Sequence, residues 1–231
     1  MKTITCQVES LTSLTPFIYK VLLKPEQKVD FIPGQYLNFV MGDEDKRPFS
    51  IASSPNSDLI ELQIGAFEEN SYAMQVIERI KSNSEVSVEI PLGNAGLKSD
   101  SQRPLLLLAG GTGFSYIKSM FEYLAEQKSD RKVIVYWGVR EPSALYELDK
   151  TQSCLNNLAD ASFIPVVQNP DTNWQGRTGL LHQNAMEDIA NFSDYDIYLA
   201  GRFDMVGIIR EDFVKKGALV EHMYADAFAF I

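Results

Sequence analysis

The stretch richest in chemistry in this 231-residue chain is a glycine turn, where the apolar run Leu105-Leu106-Leu107-Leu108-Ala109 passes directly into Gly110-Gly111-Thr112-Gly113. Glycines at a strand-to-helix turn let the backbone approach a ligand closely, and the first N–H groups of the new helix present the positive end of its dipole. An anion such as a phosphate belongs there, with Thr112 and Ser115 adding hydroxyl donors; the alternative is a turn that only tightens the connection. Counting GxGxxG from Gly111 puts Tyr116 where the third glycine should be, and GxxxxGK[ST] has no match. Arg140, three residues beyond Trp137, suits a 2′-phosphate, because a guanidinium pairs bidentately with phosphate. Glu141 beside it makes that preference slight, and an exposed loop arginine is the plainer account. Gly201-Arg202-Phe203-Asp204-Met205 is a second glycine turn, able to form the other wall of a nucleotide cleft or simply to pack. His182 and His222 lie in unrelated segments without paired acids. Cys6 and Cys154 make no metal-ligand or CxxC spacing, so neither a nucleophilic triad nor a metal centre is expected.

These residues need a scaffold, and the pattern that supplies it changes near the polar joint at residues 100–104. After the joint, apolar runs at 105–109, 132–137, 163–168 and 196–200 alternate with amphipathic segments at 114–126, 146–158, 181–190 and 205–216. That is a βαβ series, and its continuous apolar strands imply a parallel sheet covered on both faces. Such sheets bind ligands outside the carboxyl ends of their strands, where strand order reverses. The loops after Ala109, Trp137, Gln168 and Ala200 are therefore the places to look. Before the joint, short alternating segments at 4–10, 17–23, 36–40, 47–52, 59–64 and 85–90 read as six strands of a small closed barrel. One helix at 70–81 interrupts them, with Tyr72, Ala73, Val76, Ile77 and Ile80 as its buried stripe. The expected fold is an antiparallel six-stranded β-barrel, residues 1–100, followed by a parallel-sheet α/β nucleotide domain, residues 101–231.

A formal charge of −10 argues against a broad nucleic-acid or anionic-membrane footprint. The apolar runs are far shorter than the roughly 20 residues of a membrane span. With no apolar stretch at the N-terminus to act as a secretory signal, reduced cysteines and a cytoplasmic location are expected.

Arg47-Pro48-Phe49-Ser50, Gly110-Gly111-Thr112-Gly113-Phe114-Ser115, Gly201 with Met205, and the terminal Asp226-Ala227-Phe228-Ala229-Phe230-Ile231 together resemble the ferredoxin reductase superfamily. The similarity covers essentially the whole chain and is greatest to the bacterial NAD(P)H-flavin reductases. The resemblance implies a flavin on the barrel, NADPH or NADH on the α/β domain, and hydride passing between them. It assigns Arg47, Pro48, Phe49, Ser50, Ile64, Gly65 and Ala66 to the flavin, with Ser50 as the catalytic residue beside flavin N5. It assigns Gly110, Gly111, Thr112, Gly113, Phe114, Ser115, Arg140, Gly201, Arg202 and Met205 to the nicotinamide nucleotide. Strand alternation fits, since it puts Phe49 on the face opposite Pro48 and Ser50, leaving one face for the core and one for the ring.

The departures from the superfamily carry their own expectations. Members that retain FAD hold its pyrophosphate with the arginine of this strand and a Gly-x-x-Ser/Thr turn. The corresponding stretch, residues 65–71, has carboxylates at Glu68 and Glu69, residues that also suit a helix start. Losing two charge-assisted hydrogen bonds weakens binding by roughly 10²–10⁴-fold. Riboflavin, FMN and FAD are thus expected as weakly bound, dissociating substrates. Many relatives have Cys-Gly-Pro where this chain has Ala200-Gly201-Arg202, so no thiol takes part in the hydride step. Phe228 and Phe230 match the superfamily's terminal aromatic over the flavin, with packing on the barrel as the alternative. The resemblance further implies a monomer or weak dimer that passes reduced flavin to ferric complexes, a monooxygenase or a luciferase. Two other readings stand beside it. An electron-transfer reductase with tightly bound FAD lacks the support of a four-cysteine Fe–S segment, and a non-catalytic nucleotide-binding module is opposed by Ser50.

Overall fold

A computed structural model describes residues 1–67 and 71–231, with Ser71 placed by its backbone only. The first sheet contains β1 (Lys2–Thr15), β2 (Ile18–Pro25), β3 (Tyr36–Val40), β4 (Lys46–Ser50), β5 (Ile60–Gly65) and β6 (Glu85–Leu92). They are antiparallel in the order β4-β3-β6-β1-β2-β5. Alternate side chains, including Cys6, Leu23, Leu37, Phe39 and Val88, fill one core. Two register shifts in β1, at Val8/Ser10 and Ser13/Thr15, bend the sheet toward a barrel. The closed barrel expected from the sequence is not completed by a ladder. β4 stops at Ser50, and its continuation, residues 51–54, is buried and irregular. The two edges meet through Ala52 N–H to the Glu61 carbonyl at 2.8 Å and Glu61 N–H to Ser53 Oγ at 3.0 Å.

Helix α1 (Ser71–Ser82) packs Ala73, Val76, Ile77 and Ile80 into the same core. Tyr72 departs from the expected stripe: it is 47% exposed, and its ring lies 4.2 Å from the Arg47 guanidinium. Helical spacing identified the stripe, but Tyr72 sits at its margin, where an aromatic ring can cover a cation instead of entering the core.

The second sheet is parallel, with β7 (Leu105–Gly110), β8 (Val133–Val139), β9 (Ala161–Val167), β10 (Arg177–Thr178), β11 (Asp196–Ala200) and β12 (Met223–Tyr224) in the order β10-β9-β8-β7-β11-β12. Helices α2 (Phe114–Glu126) and α3 (Leu148–Leu155) belong to the apolar cluster that takes Leu105, Leu107 and Ala109 from β7. Helices α4 (Leu181–Asp188) and α5 (Phe203–Lys215) belong to the cluster that takes Leu106 and Leu108. This two-sided cover is why β7 is apolar at every position. The order grows from β7 toward β10 and then jumps to β11 on the other side of β7, so the reversal falls between β7 and β11.

A polar joint fixes the two sheets against each other. Lys118 of α2 lies 3.4 Å from Glu61 of β5 and 2.6 Å from Glu122. Burial disfavours the Glu61 charge, but Lys118 and Lys20 outweigh it and hold the carboxyl below its usual range. Gln63 donates to Glu147 at 3.0 Å and accepts from the Tyr146 hydroxyl at 2.9 Å. Among the described residues, no helix is long and apolar enough to cross a membrane.

Candidate functional site

The joint brings the end of β5 against the first glycine turn. A Cβ at Gly65 would lie 3.2 Å from Thr112 Cγ2, so the two sheets touch where the sequence placed its two candidate ligand sites. Ile64 and Ala66, on either side of Gly65, are buried.

Residues Gly111–Gly113 form one 3-10 turn that runs into α2, and neither segment has a side-chain N-cap. The first N–H of α2, at Phe114, is spent on the Gly111 carbonyl, so the N–H groups that an anion could meet here are those of the turn itself. A Cβ at Gly113 would lie 2.7 Å from the Ala200 carbonyl, so only glycine lets the two turns pack backbone to backbone. Met205 is folded over both turns: its Sδ lies 2.6 Å from a Cβ position at Gly110, and its Cε 2.3 Å from one at Gly201.

The remaining predicted nucleotide residues divide by direction. Phe114 is fully buried and stacks on Trp137 at 3.8 Å, while Trp137 Nε1 donates to the Gly111 carbonyl at 3.0 Å. Phe114 therefore holds the turn from behind. Ser115 is buried with its hydroxyl 3.5 Å from Gln63 Oε1, facing the domain joint. Arg140 is exposed at the carboxyl end of β8, and its carbonyl accepts from Asn169 at 2.7 Å. Its guanidinium has no hydrogen-bond or ion-pair partner among the described residues. Arg202, by contrast, is paired with Asp204 at 2.7 Å.

On the barrel side, Ser50 ends β4 directly opposite Tyr36 of β3, and Tyr36 is in turn paired with Leu92 of β6. Ser50 is partly exposed, and its hydroxyl has no hydrogen-bond partner among the described residues. Pro48 is exposed, and Phe49 packs against the barrel core, as the alternation requires. Arg47 turns to the core side and is engaged with Asp45 and α1. Glu68 and Glu69, the proposed obstacle to a flavin phosphate, lie outside the described residues.

Asp226 belongs to the terminal motif, and its surroundings are set by the fold. Gly93, at φ +95°, makes room for it: a Cβ there would lie 3.0 Å from both Asp226 Oδ1 and Tyr36 Cδ1. A carboxylate thus joins the row Ser50–Tyr36, and desolvation pushes it up to about 6. The folded state binds the extra proton between the usual value of 3.8 and about 6. This group's contribution to stability is therefore intact below about pH 4 and lost as pH rises through about 6. Asp226→Asn should stabilise the protein by about 1–2 kcal/mol at pH 7.5, after allowance for solvent at this half-buried position, with the gain vanishing at pH 4. Urea unfolding at the two pH values measures this, and a gain equal at both would contradict it.

The C-terminal aromatics separate. Phe228 packs under Arg210, whose guanidinium lies 4.7 Å from its ring. Phe230, 73% exposed, stacks on Phe203 beside the second glycine turn, with ring centroids 5.4 Å apart.

Residues 107–211 match the family model of the oxidoreductase NAD-binding domain. The chain is 43% identical to the NAD(P)H-flavin reductase of Vibrio harveyi, over 99% of this chain and 100% of that protein. It is equally identical to the NAD(P)H-flavin reductase of Aliivibrio fischeri, over 99% of both. Its fold is similar to the ferredoxin reductase in carbazole 1,9a-dioxygenase, with a TM-score of 0.87 and 23% identity over 98% of this chain and 69% of that one.

Proposed function

The chain belongs to the NAD(P)H-flavin reductase family, and on that premise we propose that it reduces free flavins with NADPH or NADH, each binding as a substrate and leaving again. Residues 1–100 form the flavin domain and residues 101–231 the nucleotide domain. The observation that carries this reading is the approach of Gly65 to Thr112, which supports a shared cleft between the flavin strand and the glycine turn.

The substrates supply the electronic chemistry, hydride leaving nicotinamide C4 for flavin N5. The protein's part is to bring them to a reactive separation of about 3–3.5 Å and exclude other geometries. Pro48 offers the isoalloxazine ring an apolar surface. Ser50, with its hydroxyl uncommitted, donates a hydrogen bond to N5. The N–H groups of the Gly111–Gly113 turn receive the nicotinamide pyrophosphate. Arg140 takes the 2′-phosphate when NADPH is bound. Arg202 contributes only by exchanging its pair with Asp204 for a phosphate.

A cytoplasmic location is part of this reading, and Cys6 and Cys154 are unpaired. Burial pushes the Cys154 thiol up to about 11 and the Cys6 thiol to about 12, so neither serves as a thiolate in the reaction. Reduced flavin would leave for ferric complexes, a monooxygenase or a luciferase. The test is nicotinamide oxidation by the purified protein with and without riboflavin. Oxidation that begins when riboflavin is added and saturates with its concentration supports the reading. Absence of oxidation with riboflavin, FMN or FAD would sink it.

A further inference from the structure

The geometry points to Asp45 as the residue that sets flavin specificity, by occupying the guanidinium face of Arg47 that would otherwise take a flavin phosphate. This deepens the flavin-reductase reading and rests on it. Arg47 lies on the flavin strand and beside the first turn of α1, where an arginine and a helix start together have the chemistry of a phosphate site. That chemistry is already satisfied from within the chain. Asp45 accepts from Arg47 Nε at 2.8 Å and from Nη2 at 2.6 Å, the parallel two-bond geometry that a phosphate would use. Nη2 also donates to Gln75 Oε1 at 2.6 Å, and Nη1 donates to the Tyr72 carbonyl. Four of the five guanidinium N–H groups are thereby committed. The Tyr72 ring covers one face of the guanidinium.

The two partners differ in freedom. The Arg47 side chain is 5% exposed and that of Asp45 is 44% exposed, so the arginine is fixed and the carboxylate is its removable cover. Asp45 is delivered by a turn in which the Met41 and Gly42 N–H groups bond to its carbonyl, contacts that do not involve its side chain. A phosphate approaching Arg47 meets the Asp45 charge, whereas riboflavin has no group to repel. Asp45 thus lets riboflavin compete on equal terms with FMN.

The test compares riboflavin and FMN binding, by quenching of flavin fluorescence, to the wild type and to Asp45→Ala. FMN should tighten about tenfold or more in the variant, while riboflavin changes less than about twofold. Adding Arg47→Gln to that variant should abolish the selective gain, and Arg47→Gln alone should leave the wild-type ratio of the two affinities unchanged. Should thermal unfolding show Asp45→Ala to be poorly folded, Asp45→Asn keeps the shape, removes the charge and should give a smaller gain of the same selectivity. Equal shifts for both flavins, or no shift in a folded variant, overturn the proposal. A wild type that binds neither flavin overturns the functional reading, and the proposal with it.

Discussion

Ser50→Ala should lower flavin turnover by about 10²-fold, the loss typical of removing one donor aimed at a reacting atom. The fold should be unaffected, because the hydroxyl has no hydrogen-bond partner among the described residues and Ser50 is the last residue of β4. Steady-state rates at saturating NADPH with varied riboflavin separate the two effects, while the urea midpoint reports the fold. A fall in kcat with an unchanged midpoint fits a hydrogen bond to N5 that strengthens as hydride arrives. Ser50→Thr retains the hydroxyl and should keep most of the rate. Unchanged turnover in the alanine variant would make the serine a strand-end residue without a part in the reaction.

Asp196→Ala should produce the largest loss of stability, about 3–5 kcal/mol, by stripping a buried guanidinium of its charge partner. The Asp196 carboxylate has no solvent exposure; it accepts from Arg131 at 3.0 Å and His222 Nδ1 at 2.8 Å, and it lies 3.3 Å from Arg103 Nε. Arg131 also bonds the carbonyls of Lys98 and Arg103, so one cluster fastens the segment between β6 and β7 to the amino end of the parallel sheet. The glycine turns are at the other end of the same strands, roughly 13–17 Å away at the rise of β11. Activity per folded molecule should therefore hold while the urea midpoint drops. A loss below about 1 kcal/mol would mean that the cluster contributes little net energy.

In the parallel half, the order of the main elements was legible, and two of them were legible to the residue. Residues 114–126 and 196–200 appear as expected because glycine, proline and polar residues bracket continuous apolar runs. The helix expected at 146–158 shrinks to Leu148–Leu155, since Tyr146 is drawn to Gln63 and Glu147 into the joint. The edge strands β10 and β12 are two residues each, too short for any periodicity to reveal. In the barrel half, strand alternation located the strands but could not show that β4 would stop before completing a ladder.

The two glycine turns of the candidate site were legible in the sequence, because only glycine permits the packing of Gly113 on Ala200. Side-chain direction was less accessible: Phe114 reads as a ligand contact by its place after the turn, yet its ring is spent on Trp137. Asp226 and Asp45 matter through neighbours that only the folded chain supplies, Gly93 and Tyr36 for the first and the α1-bound Arg47 for the second.

Flavin binding as a substrate is the centre of the account, and gel filtration of the protein as purified, followed by flavin absorbance and an activity assay, tests it most directly. The expected result is a colourless protein peak that oxidises NADPH or NADH only after riboflavin or FMN is added. A yellow peak that carries flavin in a one-to-one ratio, and is active without any addition, would contradict it.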